Sequence, residues 1–336
     1  MKMILLVLVV FCFMVVGCEE KSSQKINGIS LVATPEAVIQ EHINSITNVH
    51  ANFAAVMPFG FIRSLNDPEI VFNTDRQWFG ETAPGAKQAI EMLHKNHIEV
   101  LLKPQLWIWR GEFTGHLSME DEAVWKVLEE SYRDFIMTFA YLAEEQKVSV
   151  FCIGTELEQF VANRPLFWKD LIREIRSIYH GKLTYAANWD EYKRLDLWDD
   201  LDFIGVDAYF PISDEKTPTA EAAQKNWDSW KLEMQGVSEK FEKPILFTEF
   251  GYRSVDYAGK EPWRSDREME GVNFEAQSNL LEALFEAVWT EPWFTGGFLW
   301  KWHPNEGAGR HRDDTQFSPQ NKPALEKVEH YYALQN

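Results

Sequence analysis

Residues 148–156 read VSVFCIGTE and residues 244–252 read PILFTEFGY. The prediction of the fold starts from these two stretches. Each is an apolar run that leads into a glutamate, Glu156 in the first and Glu249 in the second. Such a run is typical of a central parallel β-strand whose last residues reach a cleft at the carboxyl edge of the sheet. We therefore expect the two carboxylates to lie at the mouth of one parallel sheet or barrel.

The rest of the chain alternates strand patterns with helix patterns. Besides the two quoted stretches, strands are predicted at residues 28–33, 52–57, 98–103, 182–187, 202–207 and 296–299. Eight strands separated by helices are the count of a (β/α)₈ or TIM barrel, a single-domain α/β fold. An open doubly wound sheet normally carries a glycine-rich loop after its first strand, and residues 30–34, SLVAT, contain none.

Composition excludes several classes of function. A formal net charge of −19 argues against nucleic acid or an anionic membrane surface as a partner. The 14 tryptophans supply aromatic faces of the kind that stack on sugar rings, although some must pack in the core. The nine histidines show no H-E-x-x-H or other paired spacing, so we predict neither a metal nor a cofactor.

Two carboxyl groups at one barrel mouth suit the hydrolysis of a glycosidic bond. One protonates the leaving oxygen, and in retaining enzymes the other attacks the anomeric carbon. We predict Glu156 as the acid/base and Glu249 as the nucleophile, because strands four and seven lie on opposite sides of an eight-stranded mouth. Glu158 is the second candidate for the acid/base, and either residue could instead satisfy amides at a helix start. A structural pairing with Arg253 is the alternative for Glu249.

Further residues at the ends of predicted strands are candidates for binding a substrate. Tyr209 is predicted to donate a hydrogen bond to Glu249, and Trp300 to form the floor under the cleaved sugar. The remaining candidates, as aromatic platforms or as partners of sugar hydroxyls, are Trp107, Trp109, Trp189, Trp302, Asn188, Lys103 and Gln105. Packing in the core or at the rim is the alternative for each aromatic side chain.

The N-terminal residues differ in composition from the rest. Lys2 precedes an uncharged apolar run and the sequence VVGC at residues 15–18, which resembles a bacterial lipobox. We predict a lipoprotein signal peptide at residues 1–18, lipidation of Cys18, a polar tether at 19–26 and a catalytic domain at 27–336. The protein would be an exported monomer that reaches a bacterial membrane only through its lipid. An ordinary signal peptide is the alternative, and the membrane face stays open.

Residues 153–157 (IGTEL), 247–252 (FTEFGY) and 322–324 (KPA) resemble glycoside hydrolase family 113 of clan A. The resemblance extends from about Asn27 and implies a retaining endo-β-1,4-mannanase that acts on a β-linked polysaccharide or oligosaccharide, with Glu156 as acid/base and Glu249 as nucleophile. Thr155 stands where most clan members have an asparagine that binds the sugar 2-hydroxyl. Other β-glycanase or β-glycosidase activities, and a non-catalytic glycan-binding lipoprotein, remain alternatives.

Overall fold

The computed structural model describes residues 24–264, 271–304 and 314–334. Within them, eight parallel strands close into a barrel, which confirms the predicted (β/α)₈ fold. With all strands numbered in chain order, the barrel strands are β1 (Ile26–Leu31), β2 (Phe53–Val56), β4 (Glu99–Leu102), β6 (Val150–Thr155), β7 (Lys182–Asn188), β8 (Ile204–Asp207), β9 (Ile245–Phe250) and β10 (Phe294–Trp302). The barrel closes where β1 pairs with both β2 and β10.

Helices surround the barrel. They are α1 (Gln40–Asn48), α2 (Ala83–Lys95), α3 (Glu122–Glu145), α4 (Glu158–Asn163), α5 (Pro165–Ile178), α6 (Ala220–Phe241), α7 (Phe274–Val288) and α8 (Ala324–Leu334). α5 shows why the sequence folds this way, since its apolar side chains recur at helical spacing and are buried. Among the described residues no helix is long and apolar enough to cross a membrane. The predicted signal peptide and Cys18 lie outside the described residues.

The barrel interior is filled by a separate layer of apolar side chains. Its members come from every barrel strand except β8, and they are Ile26, Ala55, Leu101, Val150, Cys152, Ala186, Leu246 and Phe298. Small residues face the Phe298 ring, and a Cβ atom at Gly28 would lie only 2.4 Å from that ring. Cys152 is fully buried in this layer, as predicted for a small core residue. The barrel is therefore closed below its mouth.

A second, two-stranded parallel sheet stands above the mouth. It consists of β3 (Phe59–Ile62) and β5 (Gln105–Ile108), where the sequence indicated only irregular connections. Pro58 and Pro104 end the neighbouring barrel strands because proline has no N–H to donate. Pairing resumes directly afterwards, since the Gln105 N–H donates to the Pro58 carbonyl at 2.9 Å. This sheet brings Phe59, Gln105 and Trp107 over the barrel.

Candidate active site

A cleft of about 840 Å³ opens at the carboxyl ends of the barrel strands. Glu156 and Glu249 both line it, as do Tyr209 and Trp300. The cleft therefore brings together the two predicted catalytic residues and two of the predicted binding residues at the end of a TIM barrel where active sites lie.

Glu249 is held by side-chain donors on both of its carboxylate oxygens. Lys103 Nζ lies 2.5 Å and Gln105 Nε2 lies 3.1 Å from Oε1, and the Tyr209 hydroxyl donates to Oε2 at 2.7 Å. Only 6% of the residue is exposed. The structure thus contains the predicted hydrogen bond from Tyr209, and it gives Glu249 an ion pair with Lys103. These charge-assisted bonds fix the orientation of an ionised carboxylate.

Lys103 lies beneath the cleft and does not reach it. The sequence suggested that it binds sugar hydroxyls, but the side chain is fully buried and its ammonium contacts Glu249 and Asp207. The proline after Lys103 ends the barrel strand, and the side chain turns into the barrel instead of outward. Burial lowers the pKa of Lys103, but the Asp207 and Glu249 carboxylates outweigh burial and raise the pKa above its ordinary value.

Asp207 belongs to the same cluster, although the sequence analysis did not single it out. It is the last residue of β8 and is 1% exposed. Thr248 Oγ1 donates to its Oδ1 at 2.7 Å, and Lys103 Nζ lies 3.2 Å from Oδ1 and 3.4 Å from Oδ2. An apolar strand that ends in a carboxylate was the signal that identified Glu156 and Glu249, and the same signal is present at Asp207.

Glu156 follows β6 directly and has a left-handed backbone conformation, with φ of 49°. Its N–H donates to the Ala186 carbonyl at 2.8 Å, so the residue stays attached to β7 while the chain turns toward α4. Desolvation at the barrel mouth, and next the charges of Asp207 and Glu249, raise the pKa of Glu156 well above its ordinary value. Glu156 is therefore a carboxyl group that holds its proton more tightly than an exposed glutamate does.

Glu158, the second candidate for the acid/base, is engaged elsewhere. It begins α4, and its Oε1 accepts a hydrogen bond from Arg194 Nε at 3.0 Å. The carboxylate lines the cleft but forms an ion pair with the Arg194 guanidinium. Glu158 is thus held by Arg194 and not by the residues that hold Glu249.

Glu191 is a second buried carboxyl group that the sequence analysis did not identify. Its oxygens accept hydrogen bonds from the Tyr185 hydroxyl and from the Asn188 N–H, both at 2.9 Å. Burial raises the pKa of Glu191 to about 8. The Leu157 N–H donates to the Tyr185 hydroxyl at 2.5 Å, so these bonds tie the backbone beside Glu156 to the loop that carries Asn188. Asn188 itself lines the cleft, as predicted.

Three of the predicted tryptophans line the cleft, in addition to Tyr209. Trp107 lies on β5 and is 50% exposed. Trp189 directly follows β7, and Trp300 lies near the end of β10. The Trp189 ring is stacked on Trp263, with centroids 5.0 Å apart and an interplanar angle of 18°. Trp263 also lines the cleft. It follows no strand, which is why strand-end patterns did not identify it. Trp109 is 68% exposed and lies outside the cleft lining, contrary to prediction.

Trp302 was also predicted to line a subsite, and the structure places it outside the barrel. It is 2% exposed, and its indole Nε1 donates to Ser45 Oγ on α1 at 2.9 Å. Simple alternation would give Trp302 the same direction as Trp300. However, β10 advances three residues from Leu299 to Trp302 where β1 advances two. Such a bulge re-aims the side chain that follows it, and Trp302 packs against α1.

Among the described residues, no group of three or more histidine, cysteine, aspartate or glutamate side chains is arranged to hold a metal ion. The cleft presents two carboxyl groups with aromatic rings around them: Glu156, whose pKa is raised, and Glu249, which forms an ion pair with Lys103. Two such carboxyl groups can protonate a leaving oxygen and attack the carbon that it leaves.

Comparisons with known proteins agree with this chemistry. The family model described as Glycoside Hydrolase Family 113 matches residues 32–322. A GH113 β-mannanase from Alicyclobacillus acidocaldarius in complex with ManMIm is similar in structure, with a TM-score of 0.81, 24% identity, and coverage of 93% of this chain and 98% of that one. A second GH113 β-1,4-mannanase has a TM-score of 0.80 and 21% identity, covering 92% and 99% of the two chains.

More distant likenesses extend to larger enzymes. A β-glucuronidase from Faecalibacterium prausnitzii has a TM-score of 0.62 and 16% identity over 93% of this chain and 49% of that chain. No curated protein matches the sequence. At these identities the structural likenesses show the barrel fold, and the family model carries the assignment to a family.

Proposed function

The chain belongs to glycoside hydrolase family 113, and we propose that it is an endo-acting β-1,4-mannanase for mannan, glucomannan or manno-oligosaccharides. It is a retaining glycoside hydrolase built as a single (β/α)₈ domain. The observation that carries the proposal is the pair of carboxyl groups in one cleft, with the pKa of Glu156 raised and Glu249 held by Lys103, Gln105 and Tyr209. The similar structures that are described as β-1,4-mannanases support the choice of sugar.

The proposed reaction is a double displacement. Glu156 gives its proton to the glycosidic oxygen while Glu249 attacks the anomeric carbon, so the bond to the leaving sugar breaks and an ester bond to Glu249 forms. The Glu156 carboxylate then takes a proton from water, and that water attacks the same carbon and releases Glu249. Because each step inverts the anomeric carbon, the product keeps the β configuration.

The charge of the cleft supports a neutral substrate. Six of its described lining residues carry a carboxyl group: Glu112, Glu156, Glu158, Asp190, Asp207 and Glu249. Among the same residues there is one lysine, Lys301, and no arginine. Lys103 and Arg194 offset part of this charge by pairing with Glu249, Asp207 and Glu158, but the described lining itself presents one cationic side chain against six carboxyl groups, so a uronic acid is disfavoured. Mannose and glucose units carry no charge. This observation separates the proposed activity from that of the β-glucuronidases with the same barrel.

The position of the aromatic rings supports endo action. Trp107 stands above β4, and Trp189 follows β7, so the rings lie on the two sides of β6 and of Glu156. Trp263 enlarges the second of these platforms. Rings on both sides of the proton donor allow sugar units to stack on both sides of the bond that is cleaved. Such a cleft fits an internal segment of a polymer.

Assays on four separate polysaccharides, mannan, glucomannan, xylan and cellulose, test the proposal. The protein is expected to release oligosaccharides from mannan and glucomannan, and not from xylan or cellulose. Proton NMR of the first products should show the β-anomer before mutarotation. If the protein cleaves xylan or cellulose but not mannan, the proposed substrate is wrong and another β-glycan is the substrate. An initial α-anomer would contradict the double displacement.

Two neighbouring tryptophans give a matched test of the aromatic platform. Trp107→Ala is expected to raise KM for mannan by roughly 2- to 12-fold, because one stacking ring contributes about 0.5–1.5 kcal/mol. Trp109→Ala is the control, since Trp109 lies close by in sequence and is more exposed but lies outside the cleft lining. KM for the control should equal that of the wild type. Equal effects of the two substitutions would contradict a platform at Trp107.

We also propose that the protein is an exported monomer with a lipid on Cys18, anchored to a bacterial membrane through that lipid alone. The support for this proposal is the residue pattern at positions 1–18, with its apolar run and the sequence VVGC.

A further inference from the structure

Asp207 is the member of the buried cluster to which the proposed double displacement gives no role. It touches Lys103 and Thr248, and Lys103 in turn contacts Glu249 at 2.5 Å. Lys103 is fully buried, and Asp207 is 1% exposed. The cluster therefore places two carboxylates around one ammonium group in a site shielded from water.

The charge around the Lys103 ammonium changes during the proposed reaction. Glu249 is an anion before the reaction and a neutral ester in the glycosyl-enzyme. A buried ammonium that loses its counter-ion is strongly destabilised, and removing one partner of a buried ion pair costs far more than removing one at the surface. Asp207 is the other carboxylate in contact with the Lys103 ammonium.

We propose that Asp207 is a positioning residue for the double displacement, holding the Lys103 ammonium beneath Glu249 and serving as its counter-ion while Glu249 is esterified. The inference rests on the proposed function, because it requires Glu249 to be the nucleophile. Asp207 does not touch the sugar in this role. It acts through Lys103 on the energy of the covalent intermediate.

The ionisation of Asp207 suits this role. Desolvation, and next the charge of Glu249, raise the pKa of Asp207 to about 7, against the opposing effects of Lys103 and Thr248. Esterification of Glu249 removes the second of these causes, so the pKa of Asp207 falls. The ionised form of Asp207 is then favoured at the stage when Lys103 depends on it.

Asp207 also acts on the acid/base. Above pH of about 7 it is ionised, and its charge is the second cause, after desolvation, that raises the pKa of Glu156. Titratable groups that interact electrostatically with Asp207 are Lys103, Cys152, Glu156, Glu191, Tyr209 and Glu249. Removal of the Asp207 charge is therefore expected to make Glu156 lose its proton at lower pH.

The test uses Asp207→Asn, which keeps the size of the side chain and removes its charge. We expect kcat to fall by roughly 10²-fold or more, because Lys103 loses the counter-ion that it needs in the intermediate. KM should stay within about threefold of the wild type, and the alkaline limb of the rate profile should move to lower pH by about half a unit or more. Asp170→Asn, on the surface of α5, is the control for a lost charge.

A second variant covers the case in which Asp207→Asn does not fold. Thr248→Val keeps the carboxylate and removes the hydroxyl that donates to it, so we expect a smaller loss of kcat, roughly tenfold, with KM unchanged. Melting temperatures of both variants accompany the kinetics. For Asp207→Asn, a fall in kcat with the limb displaced supports the inference, while kcat within threefold of the wild type, or a fall with the limb unmoved, overturns it. For Thr248→Val, which keeps the Asp207 charge, a fall in kcat of the folded protein with KM unchanged supports the inference, and kcat within threefold of the wild type overturns it.

The same assay separates this inference from the proposed function. If the wild type cleaves xylan or cellulose in place of mannan, the choice of sugar is wrong, and the Asp207 variants are measured on the glycan that is cleaved. If the wild type is active and Asp207→Asn equals it, only the role of Asp207 is lost. If Glu249→Ala retains activity, both are overturned.

Discussion

Glu249→Ala is expected to lower kcat on mannan by roughly 10⁴- to 10⁶-fold, the scale on which loss of a covalent nucleophile acts. The substitution removes the carboxylate that we propose attacks the anomeric carbon. It also leaves Gln105 and Tyr209 without the acceptor that they share with Lys103. Because Lys103 keeps its contact with Asp207, the buried ammonium is not left without a partner, and the barrel is expected to fold.

A small anion gives this prediction its specific readout. In Glu249→Ala the space of the lost side chain lies in the cleft, so azide or formate is expected to attack an activated aryl mannoside from the face that Glu249 occupied. With azide the product should be the α-glycosyl azide, and with formate the α-glycosyl formate, both opposite in configuration to the product of the wild type. Glu239→Ala, on the exposed face of α6, serves as the control and should have wild-type kcat.

The alternative for Glu249 predicts a different pattern. A purely structural carboxylate would lower the melting temperature when removed, and any loss of kcat would follow the loss of folded protein. Azide would then restore nothing. Folded Glu249→Ala protein that retains kcat within tenfold of the wild type would contradict the role of nucleophile.

The barrel could be predicted because its strands are buried on both faces. Apolar runs separated by amphipathic helices are a local property of the sequence, and the number and order of the barrel strands follow from it. The exact ends did not follow, since the last barrel strand was predicted at 296–299 and spans Phe294–Trp302. The pairing of β3 with β5 could not be predicted in this way. Pro58 and Pro104 each mark the end of a strand, and only the closed barrel brings the two segments after them side by side.

The positions of Glu156 and Glu249 also followed from local pattern, because both lie at strand ends. The sequence pattern does not show how deep a side chain lies below the surface of the cleft. Lys103 was therefore predicted to face the substrate, although its ammonium lies beneath Glu249. Trp302 was misplaced for a related reason. One extra residue in β10 reverses the direction of a side chain, and the bulge becomes visible only in the register between β1 and β10.

Glu156→Gln is expected to lower kcat on mannan by roughly 10²- to 10⁴-fold, the range that a positioned general acid contributes. The glutamine has the same shape but cannot give a proton to the leaving oxygen. The loss should be much smaller on a dinitrophenyl glycoside, because that leaving group departs without protonation. Since burial and the Asp207 and Glu249 charges raise the pKa of Glu156, the wild-type rate should fall on the alkaline side as Glu156 loses its proton. That limb should be absent in the variant.

Glu158→Gln is the matched comparison, two residues along the chain and also in the cleft. Its carboxylate is paired with Arg194, so we expect this variant to keep the alkaline limb and most of the wild-type kcat. Loss of the limb in Glu158→Gln, with the limb retained in Glu156→Gln, would reverse the assignment. Azide adds an independent readout, since in Glu156→Ala it takes the place of the attacking water. The product should then be the β-glycosyl azide, because the anion reaches the glycosyl-enzyme from the face opposite Glu249.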